Sequence, residues 1–318
     1  MQLKHCKTRR RLLKGDVDVV IRTMTRADIP AMRRLDDEVA AEIDFANAQR
    51  APGNESGVGG PWSSDEWLVE HFEQYASRGN ITLLAENDEG KLIGFADLWA
   101  ADEPEPFGRS LTAQCIDFLW EYYHLGFETI FLEQAERVAR SAGLPALDTG
   151  TNGSSGCYQS LRAFGLKVFY EYDAVVCRCD ARAQCPDFRI VPVDQADTSG
   201  LIKICHWSAS DFDYAGEPGR PGIHEFAVDG QRVLADFYRL WEPGHTSPID
   251  CELFAAPAVL TSPELMNRIL SAAAAIAGKE RARQIPLPCP SEIPLNETAL
   301  DIVRRDFRFA WMRKTLVR

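Results

Sequence analysis

The sequence predicts a mixed α/β fold of two tandem units, each a central twisted sheet of mixed strand direction flanked by helices. Three observations carry this. Strand-like and helix-like segments alternate along the chain, but hairpins interrupt them, so the sheet is not all parallel. A short polar stretch, CDARAQCPDF (179–188), separates two such runs. Each run then ends in the same order of helix, short strand, helix and final strand. The chain has 318 residues, 45% of them hydrophobic, enough for each unit to bury a core of its own.

The first fourteen residues, MQLKHCKTRRRLLK, are basic and are followed by no apolar signal segment, so residues 1–15 read as a solvated, disordered tail. The first unit spans 16–178. VDVVIRTMT is rich in β-branched residues and reads as a strand. Ile29, Met32, Leu35 and Val39 fall at helical spacing. Residues 50–64 are rich in Gly, Pro and Ser and read as a loop, after which Ser64 can cap a helix carrying Trp67, Leu68, Phe72 and Tyr75. ITLLAE and KLIGFADLWA flank the turn sequence Asn87-Asp88-Glu89-Gly90 and form a hairpin. LTAQCIDFLW is a further strand. A helix over 128–143 buries Phe131, Leu132, Ala135 and Val138 and stops at Gly143. A short strand (144–150), a second helix (156–165) and a strand (169–178) close the unit.

The second unit spans 189–318. FRIVPV is read as a strand and SGLIKICHWSASDF as a helix. HEFAVDGQRVLADFYRLW is read as a strand followed by a helical stretch. PIDCELFAAPAVL is a strand region. Residues 262–282 form a helix with Ser262 at the N-cap and Pro263 at its first position. QIPLPCP is edge-like, NETALDIVRRDFRFA is read as a helix, and WMRKTLVR as the closing strand. Ile116-Asp117 recurs as Ile249-Asp250, which supports two copies of one topology.

The formal net charge of −12 argues against non-specific nucleic-acid binding, and no apolar run is long enough to span a bilayer as a helix. Nine scattered cysteines point to a reducing, cytoplasmic setting rather than a disulfide scaffold. Cys177, Cys179 and Cys185 lack paired metal-ligand spacing, so they read as core or strand-edge thiols and no metal is expected. His206, Ser208 and Asp211 are adjacent in sequence without a nucleophile elbow, so hydrolysis is set aside.

The informative stretch is 116–143, where a strand ends, a loop containing Gly126 turns and a helix begins. The first N–H groups of a helix form a seat for phosphate, and glycine allows close approach of the backbone. IDFLWEYYHLGFETIFLEQAERVARSAG resembles the strand-to-helix coenzyme motif of the GCN5-related N-acetyltransferases (GNAT), with Gly126 at the central glycine. LDTGTNGSSGCYQSLRAFGLKVF resembles the family's next block, with Ser154 at its Asn position. The resemblance covers residues 17–178 well and 188–318 only in element order, so the second unit is a degenerate copy. Tyr123 replaces the usual Arg or Gln. Glu128 replaces a small residue; its carboxylate would repel a pyrophosphate unless it points to solvent, as a first-turn residue can, and it is also favoured by the helix dipole. Leu161 stands where many members carry a Tyr acid, and Tyr158 lies one turn earlier.

The resemblance implies direct acyl transfer from acetyl-CoA to the amine of a small molecule. The backbone near Phe118, Leu119 and Trp120 would bind the pantetheine arm and polarise the acyl carbonyl. The N–H groups of Leu125, Gly126, Phe127, Glu128 and Thr129 would hold the pyrophosphate, with His124 and Ser154 beside it. Asp117 and Glu121 are the nearest acids for taking the ammonium proton, Asp97 is another, and Tyr158 is the candidate acid. No coenzyme site is expected in the second unit, which could shape the acceptor site or a homodimer. The alternatives are a non-catalytic coenzyme-binding scaffold and a thioester decarboxylase relative. No nucleic-acid or membrane partner is expected.

Overall fold

A computed structural model gives the structure, which describes residues 6–12, 15–50, 68–69, 72–73, 76, 79–122, 127–152, 157–180, 182–205, 222–239 and 249–316. Two sheets organise the chain. One runs β1-β2-β3-β4-β5-β6-β14-β7-β13 and the other β8-β10-β11-β12-β9.

In the first unit β1 (Cys6–Leu12), β2 (Gly15–Thr23), β3 (Ile81–Glu86), β4 (Leu92–Asp102) and β5 (Arg109–Phe118) follow one another antiparallel. The basic segment is therefore not a free tail over Cys6–Leu12. Its register sets Arg9 opposite Asp18 and Arg11 opposite Asp16. The β3–β4 turn forms as read: the Asn87 side-chain oxygen accepts from the N–H groups of Glu89 and Lys91, and Gly90 takes φ +77°. Helix α1 (Ile29–Arg50) runs further than its apolar spacing and buries Ile29, Met32, Leu35 and Val39. The loop expected at 50–64 lies almost wholly outside the described residues. Of the helix expected after it, Leu68 is buried in the first core.

Helix α2 (Glu128–Ser141) packs Ile130, Phe131, Leu132, Ala135 and Val138 into that core, and Gly143 at φ +68° follows its end. Strand β6 (Ala146–Asn152), helix α3 (Cys157–Ala163) and strand β7 (Lys167–Arg178) complete the run.

The second unit departs from its sequence reading at three places. Ile202–Lys203 is a short strand, β9, paired with β12 rather than part of a helix. Residues 223–239 form a hairpin of β10 (Ile223–Val228) and β11 (Gln231–Arg239), not a strand and a helical stretch. Asp229 and Gly230 both take positive φ, the requirement of a tight two-residue hairpin turn. Residues after 296 form only a four-residue helix, α5 (Glu297–Leu300), before the long strand β14 (Ile302–Thr315). Asp301 at φ +45° ends that helix. Strands β8 (Phe188–Val191), β12 (Ile249–Ala255) and β13 (Gln284–Pro290) and helix α4 (Pro263–Lys279) agree with the reading.

Strand β14 does not close a separate sheet. It lies between β6 and β7, paired antiparallel to both. Strand β7 in turn lies between β14 and β13, and β13 runs beside β12 without a hydrogen-bonded ladder. The two units thus share β7 and β14. The second core, around α4 and β10–β13, also takes Phe107 from the β4–β5 loop of the first unit. Phe107 meets Phe169 and Tyr170 edge to face. The Tyr170 hydroxyl donates to the Ile204 carbonyl at 2.6 Å, and Trp311 Nε1 donates to the Cys205 carbonyl at 3.0 Å. On β10, His224 is 1% exposed, set between the rings of Phe188 and Phe237, with Glu280 Oε1 at 3.4 Å from Nε2.

Candidate functional site

Strands β5 and β6 are parallel but paired only over Leu111–Ala113 and Leu147–Thr149. Strand β5 continues along β4 to Phe118, while β6 follows β14 to Asn152. The two carboxyl ends therefore part, and the start of α2 lies just beyond β5. A cleft outside the carboxyl ends of parallel strands is where open α/β sheets bind ligands.

A bulge shapes the rim of this opening. Phe95 pairs with Asp117 and Asp97 with Gln114, so two steps on β4 face three on β5. Directly paired residues lie on one face. The bulge thus brings Gln114 and Asp117 to the same face as Asp97, and Thr82 pairs with Asp97 on β3. Thr82 Oγ1 donates to Asp97 Oδ1 at 2.5 Å. Gln114 is 4% exposed, and its amide nitrogen has no hydrogen-bond partner among the described residues.

The opposite face belongs to α2. Phe118 is buried against Phe127 and Phe131, with ring centroids 5.9 and 5.0 Å away. Only its main chain is left to face the opening. The Leu119 N–H is already given to the Ile93 carbonyl at 3.0 Å. Alternation along the ladder then turns the Phe118 N–H and C=O away from β4, toward the opening.

At the start of α2, Phe127 offers no side-chain cap. The start of α4 is closed: Ser262 Oγ accepts from the Leu265 N–H at 3.3 Å, and Pro263 has no N–H to give. Glu128 does not point to solvent. It is 2% exposed, buried where the helix begins. Thr129 is half-buried. His124, Leu125, Gly126 and Ser154 lie outside the described residues, and Trp120 is described only in its backbone.

Among the acids read from the sequence, Asp117 is half-buried on the polar face, whereas Glu121 is exposed in the short turn Trp120–Tyr122. Tyr158 is half-buried in the first turn of α3 against the first core, its ring under the Arg162 guanidinium. Sequence reasoning missed Gln114 and the pair Asp148–Arg313. Asp148 is fully buried and takes two hydrogen bonds of 2.7 Å from Arg313. Burial pushes its carboxyl above the usual range, against the pull of Arg313 and Ser110. Burial also pushes the Cys177 thiol up to about 12 and Cys179 up to about 11, so both are inert at neutral pH. Ile116-Asp117 and Ile249-Asp250 are not equivalent: the first pair lies near the end of β5 and the second opens β12.

Two solved structures superpose on nearly the whole chain. A presumed acetyltransferase from Pyrococcus horikoshii is 14% identical and covers 94% of this chain and 90% of its own, with a TM-score of 0.55. A GCN5-related N-acetyltransferase from Kribbella flavida is also 14% identical and covers 94% of this chain and 71% of its own, again at 0.55. The chain has the GNAT fold. No protein-family model and no curated protein sequence matches it. On this GNAT frame, the parted strands β5 and β6, the bulge and the start of α2 lie in the unit whose sequence resembles the family.

Proposed function

We propose that the protein is an acyltransferase that moves an acetyl group from acetyl-CoA to the amine of a small molecule, with one site, in the first unit. The observation that carries this is the opening between β5 and β6, bordered by the Phe118 main chain and leading to an α2 start where Phe127 gives no side-chain cap. An extended thioester arm fits such an opening, and its phosphates would lie against the first N–H groups of α2. That seat is a main-chain one, with Gly126 allowing close approach. When bound, acetyl-CoA supplies an activated acyl carbon.

This chain's residues then orient and move protons. The Phe118 N–H donates to the acyl carbonyl oxygen. Asp117, on the polar face, takes the proton from the attacking nitrogen as the C–N bond forms and the C–S bond breaks. Tyr158 returns a proton to the departing sulfur. The exposed Glu121 is the less favoured base.

Calorimetry with acetyl-CoA tests the reading. One site per chain is expected, and Gly126→Val should weaken it in a folded protein. Two equivalent sites, or no binding, would sink it. Thiol release with amines separates the enzyme from a coenzyme-binding scaffold.

A further inference from the structure

The polar row on the face away from α2 points to the chemistry of the acceptor. Thr82, Asp97 and Gln114 lie side by side across β3, β4 and β5, all buried. Gln114 follows directly on the last β5 residue paired with β6, so the row stands where the opening begins. A buried amide donor left unmade costs about 1–3 kcal/mol, and Gln114 Nε2 has no acceptor among the described residues. A ligand group can supply one.

The neighbouring groups restrict that group. A carboxylate only accepts hydrogen bonds, whereas the Gln114 nitrogen only donates. An ammonium would suit Asp97 and leave Gln114 unmatched. A carboxylate would suit Gln114 and be repelled by Asp97 and Asp117. An alkyl group would satisfy neither. A hydroxyl donates to Asp97 and accepts from Gln114. Asp117 pairs with Phe95, two residues along β4 from Asp97, which separates the two levels by about 7 Å.

We propose that Gln114 is a specificity-determining residue and that the acceptor is a hydroxylated amine, such as an amino alcohol or amino sugar. Its hydroxyl bridges Asp97 and Gln114, while its nitrogen reacts beside Asp117. The inference rests on the acyl-transfer reading above. It adds no step to the reaction: the nitrogen is acylated and the hydroxyl is bound unchanged.

The test uses the full-length chain, acetyl-CoA and four amines of matched length: 4-aminobutan-1-ol, 1,4-diaminobutane, pentylamine and 4-aminobutyrate. Thiol release gives kcat/KM for each. The amino alcohol should exceed pentylamine by about tenfold, the worth of hydrogen bonds that one acceptor makes and the other lacks. The diamine should fall between them and the amino acid last. Gln114→Met, near-isosteric and without a donor, should bring the amino alcohol and pentylamine within about twofold of each other, a loss of the hydrogen-bond term. Gln114→Leu serves if the first variant does not fold, and the wild-type ranking is decisive by itself. Equal rates with the alcohol and the alkylamine, zero included, in a chain that binds acetyl-CoA overturn this inference and leave the acyl-transfer reading standing. Failure of the wild-type chain to bind acetyl-CoA overturns both.

Discussion

Gly94→Ala should displace the end of β5 and weaken both the fold and the site. A Cβ at Gly94 would sit 2.6 Å from the Asp117 carbonyl oxygen and 2.7 Å from Phe118 Cε1. Ordinary carbon contacts are about 3.5–4.0 Å, so the overlap is about 1 Å. The ring has little room to turn, because Phe127 and Phe131 pack against it. The carbonyl belongs to the backbone, and only a shift of the strand relieves it. Overpacking of this kind costs about 1–3 kcal/mol. The same shift moves the Phe118 N–H, and a misplacement of about 1 Å at a reacting centre can cost about 100-fold in rate. Urea unfolding would read the stability, and thiol release with acetyl-CoA the rate. A variant matching wild type within about 0.5 kcal/mol, the ordinary scatter of a neutral change, and within about twofold in rate would refute the reasoning.

Arg313→Met leaves the fully buried Asp148 carboxylate without its partner and should cost about 3–5 kcal/mol in urea unfolding. Adding Asp148→Asn should recover part of that loss; no recovery would show that the pair is not coupled. Phe107→Ala removes a buried ring that one unit places in the core of the other and should cost about 3–5 kcal/mol, seen as one lowered thermal transition. Two separate transitions would show that the units unfold independently. Burial holds the His224 imidazole below its usual pKa, against the pull of Glu280 and Asp236. The unfolded chain then binds the proton more tightly, so stability is full above about pH 6.5 and is lost as pH falls toward the lowered folded value. His224→Phe should flatten the pH dependence of the urea midpoint below neutrality; an unchanged slope would locate it elsewhere.

Much of the fold was legible because its signals were local. The Asn87–Gly90 turn, the Ser262-Pro263 helix start and the apolar stripe of α2 each need only neighbouring residues. The misreadings share the opposite character. Leu300, Val303 and Phe307 sit at helical spacing, and nothing near them announces that β6 and β7 wait on either side of the segment. Ile202–Lys203 becomes a strand only because β12 offers an edge. Asp229-Gly230 did carry a local signal, the turn pair that requires two positive φ values. The site was legible where a helix start and a glycine mark it. The bulge was not, since one extra residue on β5 shows only against β4. Gln114 could have been found: Ser110, Thr112 and Gln114 alternate with Leu111 and Ala113, and such a polar row in a buried strand needs an explanation.

The sharing of β7 and β14 also bears on how the chain is made. Synthesis runs from the N-terminus, and β14 leaves the ribosome after both of the strands it pairs with. Until then the first unit holds β6 and β7 with the place between them open, exposing strand edges that can pair with the wrong partner. The sheet that carries the candidate site is thus begun before the five-stranded sheet and completed after it. A gene cut between β7 and β8 would leave β13 and β14 on the second fragment and the nine-stranded sheet of the first incomplete.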